Sequence, residues 1–428
     1  MGNIVPLVKN WILFRNRTLF IFWVGQLTSR IGSFISYVAL LLLVRELTGK
    51  NTTMAITGIC QALPGLIVGL WAGAITDRVG KVRIMILTDV LRGLGCFIIP
   101  LCIYFHCLQA WHLYLVAVLI SLGTAFFQPA EMAIIPDFVK REDLNSANAV
   151  ARTTIQIGGI IGPALGALLI TQWGAWTAFI ADGITFFISA FCIMLMRVSQ
   201  EKEKCESSDN LMEDVKEGIK LIWQNSPLKA ILLCCIAVNF TYYPLPILLP
   251  EISERKFLDL TFFNKTQIFG AFIMTLTAGK LLASIMINSF NRFRHLKFFL
   301  YYSNIAIALA VLTVGVSRFL SLSFLAMAAI GFCGTITEVR IVSYIQSSFP
   351  ENILGRIFGI ILTVAFGTIP LSIFAGGWIA DIVGSAWVLL GLGAGLVFTS
   401  LVIYFTGMLE GKNDVVSDST TLVFVNKY

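Results

Sequence analysis

Six ionisable side chains stand inside long apolar stretches of this chain: Arg30, Glu131, Asp182, Lys280, Glu338 and Arg340. A charge in lipid is costly, so such groups persist where they pair, line a wet cavity or carry protons. Arg30 and Lys280 fall near the middle of their stretches. If both face one cavity, they form a positive site suited to an anion bearing carboxylate or catecholate groups. The alternative is a pair of structural salt bridges to Asp182 or Glu131. Glu131, Asp182 and Glu338 are the carboxylates able to carry protons. Glu338 and Arg340 are two residues apart and share no helix face, so each needs a partner on another helix. Asp89 and Arg92, one turn apart, read as a local ion pair. Gln26 adds an amide one turn before Arg30. Asn239, with Tyr242, Tyr243, Pro244 and Pro246, reads as a broken helix, which membrane depth tolerates where the break lines a cavity. No nucleophile motif or paired catalytic carboxylates point to an enzyme. The nine cysteines show no CxxC or Cys/His spacing for a metal.

The elements that must position these groups are membrane helices. Apolar residues make up 57% of the 428 positions and charged ones only 13%, against roughly 25% charged in soluble domains. So little charge cannot cover a water-facing surface. Spanning a bilayer takes about 20 apolar residues. Twelve such runs are read at 18–44, 55–76, 84–105, 112–135, 148–172, 175–196, 228–249, 266–288, 297–316, 319–345, 354–378 and 385–407. They are too long and too uniformly apolar for barrel strands, so the fold class is an all-α membrane protein. The first run is also too long for a signal-peptide core.

The longest polar stretch divides the runs six and six. The predicted organisation is an N-terminal half over 1–196, a central loop over 197–227, a C-terminal half over 228–407 and a tail over 408–428. Within the loop, Asp209–Gln224 places Leu211, Val215, Ile219 and Ile222 on one face, as in a helix lying along a membrane surface. Lys and Arg crowd one side of the predicted topology (Arg78, Lys81, Arg83, Lys140, Arg141, Arg292, Arg294) and thin out on the other (Arg45, Lys50, Arg255, Lys265, Arg318). The positive-inside rule then puts both termini and the central loop in the cytoplasm. The net charge of +7 is this bias; no aromatic-interleaved basic patch points to nucleic acid.

Two motifs sharpen the reading. Gly73-Ala-Ile-Thr-Asp77-Arg78-Val-Gly80-Lys81-Val-Arg83 is read as a loop joining the second and third spans. Gly73 would let a neighbouring helix approach, Gly80 would permit a positive φ, and Asp77 could accept bonds from Arg78 or a facing helix N-terminus. This sequence resembles the GxxxDRxGR(R/K) loop signature of the major facilitator superfamily and implies a gating latch. Gly158-x-x-x-Gly162-Pro163-x-x-Gly166 resembles the fifth-helix signature of its exporters and antiporters. Gln128-Pro129-Ala130-Glu131, Gly355-Arg356 and Gly376-Gly377-Trp-Ile-Ala-Asp381-x-x-Gly384 extend the resemblance across residues 11–407, to the macrolide-efflux and enterobactin-exporter branch of the drug:proton antiporters. Where many of that branch carry an acid after the helix-1 glycine, this chain has Ser33.

The resemblance implies a twelve-span transporter in the bacterial inner membrane, monomeric, whose partners are a small-molecule substrate, protons and the lipid bilayer. It would export a drug or a siderophore-like metabolite by alternating access. No Walker loop is present, so ATP is not the direct fuel; no cofactor is expected, and the proton gradient would supply the energy. The alternative within the same fold is a lipid or lysolipid translocase.

Overall fold

The computed structural model describes residues 16–140, 143–196, 223, 225–257, 263–286, 296–349 and 351–408. The surface helix read over 209–224 lies outside these apart from Trp223. Among the described residues thirteen α-helices run in order: α1 Arg17–Thr48, α2 Asn51–Val79, α3 Lys81–Tyr104, α4 Ala110–Ile134, α5 Leu144–Trp173, α6 Ala175–Met194, α7 Ser226–Tyr242, α8 Leu245–Lys256, α9 Lys265–Met286, α10 Leu296–Val316, α11 Leu320–Ser348, α12 Glu351–Val383 and α13 Ser385–Phe405. By length and composition, eleven spans of the described chain can cross a membrane, α7 and α8 together forming one of them; Leu300–Val316 is a shorter apolar helix.

Local sequence explains the ends. The Asn16 side chain accepts from the amides of Thr18 and Leu19, both at 3.1 Å, and starts α1. Gly49, at φ +67°, closes it. Single glycines in positive φ turn α2 into α3 (Gly80, +99°), α5 into α6 (Gly174, +92°) and α12 into α13 (Gly384, +91°). The motif around Asp77 is therefore not a loop. Gly73 to Arg78 close α2, and Lys81 and Arg83 open α3. The helix read as broken by Pro244 and Pro246 does break there, between Tyr242 and Leu245.

Helices α1–α6 pack mainly among themselves, as do α7–α13, and the two sets meet chiefly along α5 against α9 and α2 against α12. Leu91, Leu94, Ile67, Phe191, Leu325 and Phe398 are exposed. Apolar side chains displayed from so many helices suit a hydrocarbon surround. The bundle has two ends. Gly49 marks one, with Gly174 and Gly384; Gly80 marks the other.

Candidate transport site

In the first set, the buried charges are paired internally, although Asp89 Oδ2 and Arg92 Nε have no hydrogen-bond partner among the described residues. Arg30 Nη2 meets Glu131 Oε2 at 2.7 Å, joining α1 to α4. Of the two readings open for Arg30, the structure shows the pair with Glu131. Both line a narrow cleft with Trp23, Gln26 and Thr154, of about 10 Å³, room for no more than a water. Gln26 is buried, and its amide donates to Ser189 Oγ on α6 at 3.4 Å. Arg92 pairs with Asp89, and both side chains are buried. Its guanidinium lies 4.5 Å from the ring centroids of Phe127 and Phe186, a double cation–π arrangement. Gly123 makes room for it, since a Cβ there would stand 2.6 Å from Arg92 Cγ.

Asp182 is fully buried on α6. It accepts from Ser36 Oγ at 2.5 Å, Ser33 Oγ at 3.4 Å and Cys96 Sγ at 3.6 Å on α1 and α3, and from Thr185 Oγ1 at 3.5 Å on α6 itself. Ser33, where the resemblance leads one to look for an acid, thus serves an acid supplied by α6.

The second set is different. Lys280 Nζ of α9 lies 4.8 Å from the centroid of the Tyr242 ring on α7 and makes no ion pair among the described residues. Glu338 of α11 is exposed and likewise makes none there. Asn239 is engaged in structure: its amide donates to Ala365 O at 2.8 Å and Thr368 Oγ1 at 3.3 Å, tying α7 to α12. Arg30 and Lys280 therefore do not form a matched pair of free cations.

The helix-5 glycines act as a packing stripe. A Cβ on Gly158, Gly162 or Gly166 would stand 2.9 Å from Arg30 Cβ, 2.5 Å from Phe34 Cβ and 3.1 Å from Ile35 Cα, so all three seat α5 on α1. Pro163 faces the other way, its carbonyl oxygen 2.9 Å from where a Cβ on Gly270 of α9 would be. The motif lies where α1, α5 and α9 meet. In the motif at the Gly80 end, Lys81 Nζ donates to Ala133 O at 2.8 Å and pairs with Asp137 at 2.9 Å, within the first set. Arg78 and Arg83 are exposed. Gly73, expected to admit a neighbouring helix, has no such neighbour, as nothing lies within 4 Å of a Cβ there. The Asp77 side chain lies outside what is described.

One cluster escaped the sequence reading. At the Gly49 end, Arg45 pairs with Glu254 at 3.3 Å. Asn51 Nδ2 donates to Glu251 Oε2 at 2.6 Å, which also accepts from Ser385 Oγ at 2.5 Å. Asp381 accepts from the amides of Asn51 and Thr52 at 2.7 and 2.8 Å. These bonds join the first set to the second around a cavity of about 490 Å³. The residues looked like ordinary ends of spans; only Asp381, inside a quoted motif, was visible in advance.

Two helical sets that meet along two pairs of helices, with ionisable groups held at membrane depth, define a multi-pass membrane transporter. The chain belongs to the transmembrane secretion effector family, whose model matches residues 8–423, within the major facilitator superfamily. It is 25% identical over 397 residues to macrolide efflux protein A of Streptococcus pyogenes, covering 89% of this chain and 93% of that one. It is equally 25% identical over 397 residues to the multidrug efflux pump Tap of Mycolicibacterium fortuitum, covering 90% and 95%. The staphyloferrin A transporter of Staphylococcus aureus is 23% identical over 377 residues, covering 88% and 92%. Among solved structures, the nucleoside transporter NupG superposes with a TM-score of 0.76 at 11% identity, covering 92% of this chain and 100% of that one. A bacterial homologue of the human lysosomal transporter Spinster gives 0.69 at 12% identity, covering 92% and 96%. These two likenesses concern the fold alone.

Proposed function

We propose that this chain is a monomeric twelve-span exporter of the bacterial inner membrane, built as two six-helix halves with both termini cytoplasmic. Leu300–Val316, with the turn before it, supplies the twelfth span. The protein moves a small organic anion outward by alternating access, driven by protons that enter through Glu131, Asp182 or Glu338. The positive-inside bias places the Gly49 end outside, so the conformation described is closed to the outside. Export is supported by the relatives, whose names are those of efflux proteins and a siderophore transporter.

The observation that carries the substrate class is Lys280. A cation at membrane depth with the Tyr242 side chain beside it, the Glu338 carboxylate near and no ion pair among the described residues is costly until an anion arrives. A carboxylate or catecholate seated against Lys280 would form a charge-assisted hydrogen bond. The Tyr242 ring would hold the ammonium in place between cycles. Arg30, neutralised by Glu131, adds no net charge to the site. Protonation of Glu131 would free Arg30, one way for a proton to trade against substrate.

The test is export from cells with and without the gene, comparing a siderophore-like polycarboxylate with a macrolide, each with and without a protonophore. Protonophore-sensitive efflux of the anion, lost in Lys280→Gln, is the expected result. Macrolide efflux indifferent to Lys280→Gln would make Lys280 structural and the protein a drug pump. No efflux of either would bring lipid translocation forward.

A further inference from the structure

α2 and α12 end in the same pattern. Gly73-Ala-Ile-Thr-Asp77-Arg-Val-Gly80-Lys81 closes α2 and opens α3; Gly377-Trp-Ile-Ala-Asp381-Ile-Val-Gly384-Ser385 closes α12 and opens α13. Glycine, isoleucine, aspartate, valine and glycine recur in register. The resemblance is also conformational, since Gly80 and Gly384 take φ +99° and +91°, each the sole residue between two helices. The two helices lie against each other, Gly58 of α2 facing Ile373 of α12. One copy therefore sits at each end of the same helix pair.

The copies differ in what they do here. At the Gly49 end, a Cβ on Gly377 would stand 2.6 Å from Ala55 Cβ and 2.8 Å from Asn51 O, so that glycine admits the first turn of α2. Asp381 then caps that turn. Its Oδ1 takes the Asn51 amide at 2.7 Å, and its Oδ2 takes the Thr52 amide at 2.8 Å and the Thr52 hydroxyl at 2.5 Å. The residue before the helix, Lys50, supplies no side-chain cap of its own. The N-terminus of α2 is thus capped by a carboxylate 330 residues away, on the opposite set of helices. A carboxylate there satisfies orphan amides and faces the positive end of the helix dipole. At the Gly80 end, the matching glycine, Gly73, has open space above it, as do Gly359 and Gly367 of α12. Of the two matching glycines, Gly377 is engaged and Gly73 is open.

We propose that Asp381 is a gating residue, the mirror of Asp77. It holds the Gly49 end shut by capping α2, and it lets go when the Asp77 copy engages the N-terminal end of α12 at the Gly80 end. The inference rests on the alternating-access reading above. It adds that the two ends carry one latch sequence each, so their closures exclude one another. Asn51, bonded at once to Asp381 and Glu251, and the pair Arg45–Glu254 close with it.

The test is hydrogen–deuterium exchange on the full chain in lipid nanodiscs, for wild type, Asp381→Asn, Asp77→Asn and the double variant. Asp381→Asn should speed exchange over residues 51–58 roughly tenfold, the worth of a good cap, and slow it over 73–80. Asp77→Asn should do the reverse, and the double variant should return toward wild type. Faster exchange confined to the first turn of α2, with 73–80 unmoved, would make Asp381 a plain helix cap and overturn the proposal. So would movement of both ends in the same direction. If Asp381→Asn does not yield a monodisperse protein, Thr52→Val removes only the hydroxyl donor, and it should give a smaller reciprocal shift. Exchange is read without substrate, so a failed latch and a failed export reading are separable: efflux without reciprocity sinks the latch alone, and reciprocity without efflux sinks export alone.

Discussion

The two sets of helices treat their buried charge differently. In the first, each charged group has an opposite charge or a ring of hydroxyls: Arg30 has Glu131 at 2.7 Å, Arg92 has Asp89 and two aromatic faces, and Asp182 has Ser36 at 2.5 Å and Ser33 at 3.4 Å. In the second, Glu251 near the Gly49 end is equally well held, by Arg255 at 3.0 Å, Asn51 and Ser385, but Lys280 makes no ion pair among the described residues: it rests on the Tyr242 ring at 4.8 Å, with the exposed Glu338 near it. A satisfied buried charge fixes the helices around it, and losing one partner strands the other. A charge without an ion-pair partner is the better candidate for a ligand. The difference teaches that charge at membrane depth marks function only after its partners are counted.

The comparison is easiest to break at Arg92. Arg92→Leu leaves the Asp89 carboxylate buried and unpaired in a site that is closed to water. The expected cost is about 3–5 kcal/mol, read as a fall in the thermal midpoint of the detergent-solubilised protein and in folded yield. Asp89→Asn with Arg92→Leu, which removes both charges, should recover much of it. An unchanged midpoint in the single variant would mean that the pair does not scaffold the first set.

Lys280→Gln is the opposite case. It should leave stability within about 1 kcal/mol of wild type, because a cation–π contact and no ion pair is broken. It should lower anion efflux by at least about tenfold, through the lost charge-assisted bond to substrate. The same split, unchanged fold and lost transport, is not expected at Arg30, where Arg30→Met strands Glu131. A large loss of stability at Lys280 would erase the distinction between the sets.

A third, smaller effect tests how tightly the first set is packed. Gly162→Ala puts a methyl 2.5 Å from Phe34 Cβ and 2.8 Å from Ile31 O. Overpacking of this kind costs about 1–3 kcal/mol, and here it would push α5 off α1. Gly391→Ala, with nothing within 4 Å of the new methyl, is the control and should be nearly neutral or stabilising. Equal effects at both positions would show that the α5 stripe is not a packing surface.

Apolar run length made the helices legible, and Pro244 and Pro246 marked the break between α7 and α8. Spacing also gave the Asp89–Arg92 pair, since residues three apart on a helix are neighbours. Spacing could not give Arg30–Glu131, which are 101 residues apart, nor the donors that reach Asp182 from α1 and α3. Such contacts are set by how helices pack, and one sequence does not encode that at short range. The glycine motif in α5 was legible as small-residue packing, but not the division of labour in which Gly158, Gly162 and Gly166 face α1 while Pro163 faces α9. The Gly49-end cluster was missed for a different reason: charged residues at the ends of spans look alike whether they are solvated or bridge two helical sets.

That likeness yields the smallest prediction. Lys265 and Arg45 both reach Glu254 at 3.3 Å, so on distance alone they are equal partners. Their surroundings are not equal, as the Lys265 side chain is 56% exposed and that of Arg45 is 10% exposed. Water and salt screen the first contact, and the long lysine chain loses entropy to hold it, so Lys265→Gln should change stability by less than about 0.5 kcal/mol. Arg45 also donates to Oδ1 of Asn51 at 3.2 Å, the same residue that Asp381 and Glu251 grip. Arg45→Gln should therefore cost more, about 1–2 kcal/mol, and its effect should persist in high salt, which would erase that of Lys265→Gln. Thermal midpoints of both variants at low and high ionic strength measure the difference. Equal costs, or equal salt dependence, would mean that Arg45 is one more solvated charge at a span end and that the closure at the Gly49 end rests on Asn51, Glu251 and Asp381 without it.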